Sequence, residues 1–141
     1  MVDPVEILRT ILLADPGVVA QVADRVAESL VPPTEVAYMP RKCIRIMVDS
    51  VAPCSMPVLN MRISFHCFGG EPGFKQAWEV AGAVYDCLKR SGVNMVTITG
   101  GDAFYYMANC TCVGRPVTEP VTAWPRVDSE WMFTFGEEVA P

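Results

Sequence analysis

The sequence predicts an α+β domain. It has a single sheet, mostly antiparallel or mixed, with a long amphipathic helix and an N-terminal helical segment packed on one face. Three observations lead there. Helical spacing of apolar residues occurs at the start and once more near the middle, and alternating runs fill the rest. The alternating runs follow one another through short turns, which favours antiparallel neighbours. Apolar residues make up 51% of 141 positions and charged ones 19%, enough to close one continuous core in a single domain spanning 1–141.

Asp3 is placed to cap a first helix, with Pro4 at its first position, Glu6 three residues past the cap, and Val5, Leu8, Ile11 and Leu12 on one face. Asp15-Pro16-Gly17 breaks that pattern. A second short helix is expected from Pro16 to about Val22, then an extended segment from Arg25 to Val31. Residues 32–41 hold three prolines and read as a loop. Ile44, Ile46 and Val48 alternate with Arg45, Met47 and Asp49, and Met61, Ile63, Phe65 and Cys67 alternate with Arg62, Ser64 and His66. Together the two runs predict a long hairpin with its tip at 52–57. From Glu71-Pro72 to about Arg90 the spacing predicts the long helix, with Phe74, Trp78, Ala81, Tyr85 and Leu88 as its apolar stripe. Strands are expected over Val93–Thr99, Phe104–Val113 and Val127–Phe135, the last with Trp131, Phe133 and Phe135 facing one way. Residues 114–126, with three more prolines, read as a late loop, and the acidic stretch 136–141 as a flexible tail.

Charge and composition narrow the function. Eleven basic against sixteen acidic residues leave a net charge of −5 with no Lys/Arg run, which argues against a sequence-independent grip on nucleic acid. No apolar stretch approaches the roughly 20 residues a membrane span needs. The opening Met-Val-Asp-Pro is not a basic segment followed by an apolar one, so no export signal is expected. Cys43, Cys54, Cys67, Cys87, Cys110 and Cys112 then read as reduced thiols of a protein made in a cytosol.

Candidate chemistry fares poorly. His66 and Cys67 are neighbours on a predicted strand, so their side chains point to opposite faces and cannot form a Cys–His pair. Cys110 and Cys112 are expected to share a face and pack in the core. One C-x-C without a second ligand pair falls short of a zinc site. Gly69-Gly70 and Gly100-Gly101 belong to no phosphate-loop pattern and read as turns. Glu137-Glu138 and the pair Asp24 and Glu28 read as solvated surface. Tyr105-Tyr106 lacks the interleaved basic residues a stacking platform needs. The expectation is a protein that is not an enzyme and uses no cofactor or metal.

Three segments, taken in order, carry a family resemblance. They are LLADPGVVAQVADRV at 12–26, LNMRISFHCFGGEPGFKQAWEVAGAVYDCLK at 59–89 and TAWPRVDSEWMFTF at 122–135. The order resembles the tail-terminator (tail-completion, tail-to-head joining) proteins of long-tailed phages and prophages. That resemblance implies a sheet with helices packed on it and a ring of six copies. The ring would cap the tail tube, stop its polymerisation and meet the head-tail connector. The implied partners are other copies of the chain, the tail tube protein and the connector or stopper protein, and the implied location is the tail or neck of a virion made in a host cytoplasm. Genomic DNA would pass through the lumen unbound, and the acidic balance fits a lining that repels it. No catalytic residue is carried over.

The surfaces expected to meet partners are Val51, Cys54 and Met56 at the first hairpin tip, Pro33 and Tyr38 in the first proline loop, and Pro116, Pro120 and Trp124 in the second. Proline-stiffened loops present contact surfaces at low entropic cost. Two other readings stay open at this point: another neck or head-closure component, and a small thiol-dependent cytosolic enzyme, which would need one thiol of depressed pKa.

Overall fold

The computed structural model describes residues 3–28, 31–52, 58–70, 72–90, 92–97 and 103–137, with the backbone alone at 33, 34, 51, 52, 58, 59 and 137. In chain order these are helix α1 (Pro4–Leu13), helix α2 (Pro16–Val22), strand β1 (Val26–Glu28), a one-turn helix α3 (Pro33–Val36), strands β2 (Cys43–Ala52) and β3 (Val58–Phe68), helix α4 (Lys75–Leu88), and strands β4 (Asn94–Thr97), β5 (Ala103–Thr118) and β6 (Pro125–Glu137).

The N-terminal helices begin where their caps dictate. Asp3 accepts a hydrogen bond from the Val5 amide at 3.0 Å. Asp15 accepts from Gly17 at 2.8 Å and Val18 at 3.1 Å, so the break expected at Asp15-Pro16-Gly17 is itself a helix cap. Within 32–41 the structure corrects the expected loop. The Pro32 carbonyl accepts from the amides of Glu35 at 2.8 Å and Val36 at 2.9 Å, closing the turn that is α3.

The strands form one sheet in the order β1-β2-β3-β6-β5-β4. β1 runs parallel to β2, and every other neighbouring pair is antiparallel, so the sheet is mixed. One face carries Ile44, Ile46, Met61, Ile63, Phe65, Cys67, Trp131, Phe133 and Phe135, all buried in a core shared with α1, α2 and α4. Phe133 stacks on Phe135 at 5.4 Å and meets Phe65 edge-on at 6.2 Å. Each of these large side chains stabilises the fold by roughly 1.5–3 kcal/mol through the surface it removes from water.

Three expectations change here. First, α4 has 14 residues and begins after Gly73, whose φ of +85° no helix can contain; the expected start at Glu71-Pro72 falls outside it. Its buried positions are Ala77, Val80, Ala81, Val84, Cys87 and Leu88. Trp78, expected in the stripe, is 42% exposed. Small residues face the sheet and let the helix approach, which turns Trp78 aside onto β5. A Cβ on Gly114 would sit only 2.3 Å from the Trp78 ring, so this crossing requires glycine.

Second, β5 is 16 residues long, and the expected loop at 114–126 shrinks to 119–124. Pro116 is a strand residue opposite Val127. β4 pairs only with residues 103–106, so beyond Tyr106 the far rim of β5 borders no described strand, and a missing amide is tolerated on such a rim. Gly136 also pairs within the sheet, opposite Tyr105, and so belongs to β6, not to a tail; residues 138–141 lie outside the described residues.

Third, Cys110 and Cys112 do not share a face. The register shifts between them, placing Cys110 opposite Trp131 and Cys112 opposite Glu130, which lie on opposite faces of β6. Nor do they join the core, since Cys110 is exposed and Cys112 half-buried.

Candidate interaction surface

The helices cover one face of the sheet, and the other face divides into two ends. At the first end the residues alternating with the core are Arg45, His66, Phe68, Arg126 and Asp128, brought side by side by the pairing of β2, β3 and β6. The 119–124 turn folds over them. Glu119 accepts two hydrogen bonds from Arg45, at 3.2 and 3.1 Å, and a further short one from Arg126. Arg126 also donates to Asp128 at 2.9 Å. Arg45 donates to His66 Nδ1 at 3.1 Å and lies over the Phe68 ring, 5.2 Å from its centre. Trp124 closes the stack, edge-on to Phe68 at 5.9 Å.

Burial sets the electrostatics here. It lowers the His66 pKa to about 3, assisted by the charges of Arg126 and Arg45, so the ring is neutral. With Nδ1 accepting from Arg45, the proton sits on Nε2, 3.8 Å from Asp128. Burial likewise pushes the Asp128 carboxyl up, against the pull of Arg126. It works against the Glu119 charge too, but the hydrogen bonds from Arg45 and Arg126 outweigh it and leave that carboxyl below its usual value. Every buried side-chain polar atom among the described residues has a partner. These groups satisfy one another, and among the described residues no thiol is hydrogen-bonded to the imidazole. Cys67 points to the core from the opposite face, and its thiol is pushed up by burial. Burial also raises Cys43 to about 11 and Cys87 to about 12. No trio of His, Cys, Asp or Glu among the described residues is arranged to hold a metal ion. The network ties the 119–124 turn down as a latch.

Beyond the latch, the turn ends in an exposed tip. Val121 has a φ of 70° and is 104% exposed; Ala123 has a φ of 60°. Left-handed backbone at a β-branched residue costs roughly 1–2 kcal/mol. Hydrogen bonds from the Ala123 amide to the Glu119 carbonyl and from the Glu119 amide to the Trp124 carbonyl, both 2.9 Å, hold the chain in that shape.

The second end of this face is largely apolar. Tyr105 and Met107 on β5 stand opposite Gly136 and Thr134 on β6, and these small partners leave a trough of about 180 Å³ that Val93 extends. Val93, Met95, Tyr105 and Met107 are all exposed.

With that geometry in place, one comparison bears on it. The fold is shared with a known virion chain. That solved chain, described as "Virion of native gene transfer agent (GTA) particle", superposes with a TM-score of 0.62 over 95% of this chain and 94% of its own, at 18% sequence identity. Such a likeness shows the fold alone. No protein-family model matches the sequence, and no curated protein matches it.

The residues expected to meet partners separate on this framework. Pro120 sits in the exposed turn tip, while Trp124 in the same turn is half-buried and anchors it on Phe68. Pro116 is exposed on the β5 rim. Tyr38 is 66% exposed and lies under Arg41, whose guanidinium pairs with Glu35 through bonds of 2.6 and 2.7 Å. Pro33 lies in α3 with its side chain undescribed. Cys54 and Met56 lie outside the described residues, as does the Val51 side chain. The sequence reading missed Val121, Val93 and Met107. Alternation marks Met107 as outward-facing once Phe104 and Tyr106 are placed inward, but the small residues opposite depend on a register that one strand does not reveal.

Proposed function

We propose that this chain is a virion structural protein, specifically a ring-forming tail terminator. Its ring caps the tail tube, stops tube polymerisation and joins the tail to the head connector. The observation that carries the reading is the nearly full-length fold likeness to a chain of a gene transfer agent virion. The ordered segments at 12–26, 59–89 and 122–135, with their tail-terminator resemblance, narrow it from virion protein to terminator. The raised thiols and the mutually satisfied polar network argue against the thiol-enzyme alternative. A net charge of −5 suits a channel through which DNA passes without binding.

Deleting the chain from the genome that encodes it tests the reading. A tail terminator leaves tubes of unregulated, excessive length; tubes of normal length on leaking heads would assign the chain to head closure instead. Particles unchanged in tail length and in retention of DNA would sink both readings.

A further inference from the structure

We infer that the Val121 turn is a knob that docks into the Tyr105–Met107–Gly136 trough of a second copy of this chain. The proposal supplies the contact between copies that the ring reading above leaves unspecified, and it rests on that reading. Both parts lie on one hairpin, the knob at the β5–β6 turn and the trough at its open end. About eleven residues of β5 separate them, or about 35 Å at the usual strand rise. Two unlike patches at opposite ends of one rigid element make a head-to-tail contact, and such contacts generate rings or filaments.

The charge pattern suits a second copy as the occupant. Copies carrying −5 repel one another wherever acidic groups meet. Residues 120–123 are Pro, Val, Thr and Ala, and the trough is lined by Val93, Tyr105, Tyr106, Met107, Thr134, Phe135 and Gly136, so neither part carries a charge. The knob is also held ready. Its backbone stays left-handed at Val121 and Ala123 because the Glu119–Arg45–Arg126 latch and the Trp124–Phe68 contact pin both ends of the turn. An ordered apolar tip loses little entropy when it docks.

The test is sedimentation of wild type, Val121→Asp and Met107→Asp, alone and mixed. Both positions are exposed, and circular dichroism checks that each variant keeps the wild-type fold. Wild type is expected to gain mass with concentration, and each variant to associate at least tenfold more weakly. An equimolar mixture pairs the sound trough of one variant with the sound knob of the other. It is expected to form a one-to-one pair and nothing larger. A wild type that stays monomeric at millimolar concentration overturns the proposal. Variants that associate like wild type, or a mixture that stays monomeric where wild type assembles, overturn it as well. The parent reading fails separately: a chain that associates through the knob but is missing from particles sinks the virion assignment. Particles that incorporate the chain while Val121→Asp still self-associates sink only the knob.

Discussion

The two ends of the sheet's outer face differ in what covers them. At the Phe68 end, two arginines, two carboxylates and a histidine tie a turn over an aromatic pair, leaving Asp128 only 3% exposed. At the Tyr105 end, the small residues Gly136 and Thr134 leave a hollow on the face of the paired strands, and Met95 and Met107 are exposed. The first end is closed over by its own side chains, and the second presents exposed apolar ones.

The largest break in that contrast is Glu119→Ala. It strands Arg45 and Arg126, both largely buried, without the carboxylate they share. A loss of about 3 kcal/mol in urea unfolding is expected, with Trp124 becoming more solvent-exposed by fluorescence. A result near zero would mean the latch is decorative.

Acid should loosen the same end. Folded His66 has its pKa at about 3 against an ordinary 6.5, so the unfolded chain binds that proton first as pH falls. Its contribution is whole above about 6.5 and is lost toward 3. Glu119, with its lowered pKa, adds to the loss below 4.5, while Asp128, with its raised one, opposes it in the range just above 3.8. A net fall of about 2 kcal/mol between pH 6.5 and 4.5 is expected, and His66→Gln should flatten the curve in that interval.

At the tip, Val121→Gly relieves a left-handed valine at some cost in chain entropy and should stabilise the monomer by about 0.5–1 kcal/mol. The smallest effect belongs to the Tyr105 end, where exposed Met107→Ser should change monomer stability by less than about 0.5 kcal/mol in the same urea titration. A larger loss there would erase the contrast between the ends.

Much of the inward face was legible along the chain. The alternation from Met61 to Cys67 and from Trp131 to Phe135 names core residues directly, and Asp3 and Asp15 mark two helix starts, because a strand period and an N-cap are local properties. The outer face was less legible for equally physical reasons. Arg45 and Glu119 are 74 residues apart and meet only once the sheet exists. Pro116 reads as a loop residue because its tolerance in a strand depends on β5 having no described strand on that side. The cysteines at 110 and 112 were assigned one face by a period that a single bulge resets. Trp78 looked like a core residue by size, although alanine decided which side of α4 faced the sheet.

The rim of β5 that borders no described strand has a consequence of its own. A strand rim about 35 Å long with no strand beside it would ordinarily recruit strand after strand from neighbouring molecules. Pro116 removes one donor, and the register shifts around Cys112 throw the spacing of the remainder out of step with any straight incoming chain. Indefinite, amyloid-like stacking along that rim is thereby discouraged. A contact along that rim would then have to be made by side chains, whose fit is set by shape.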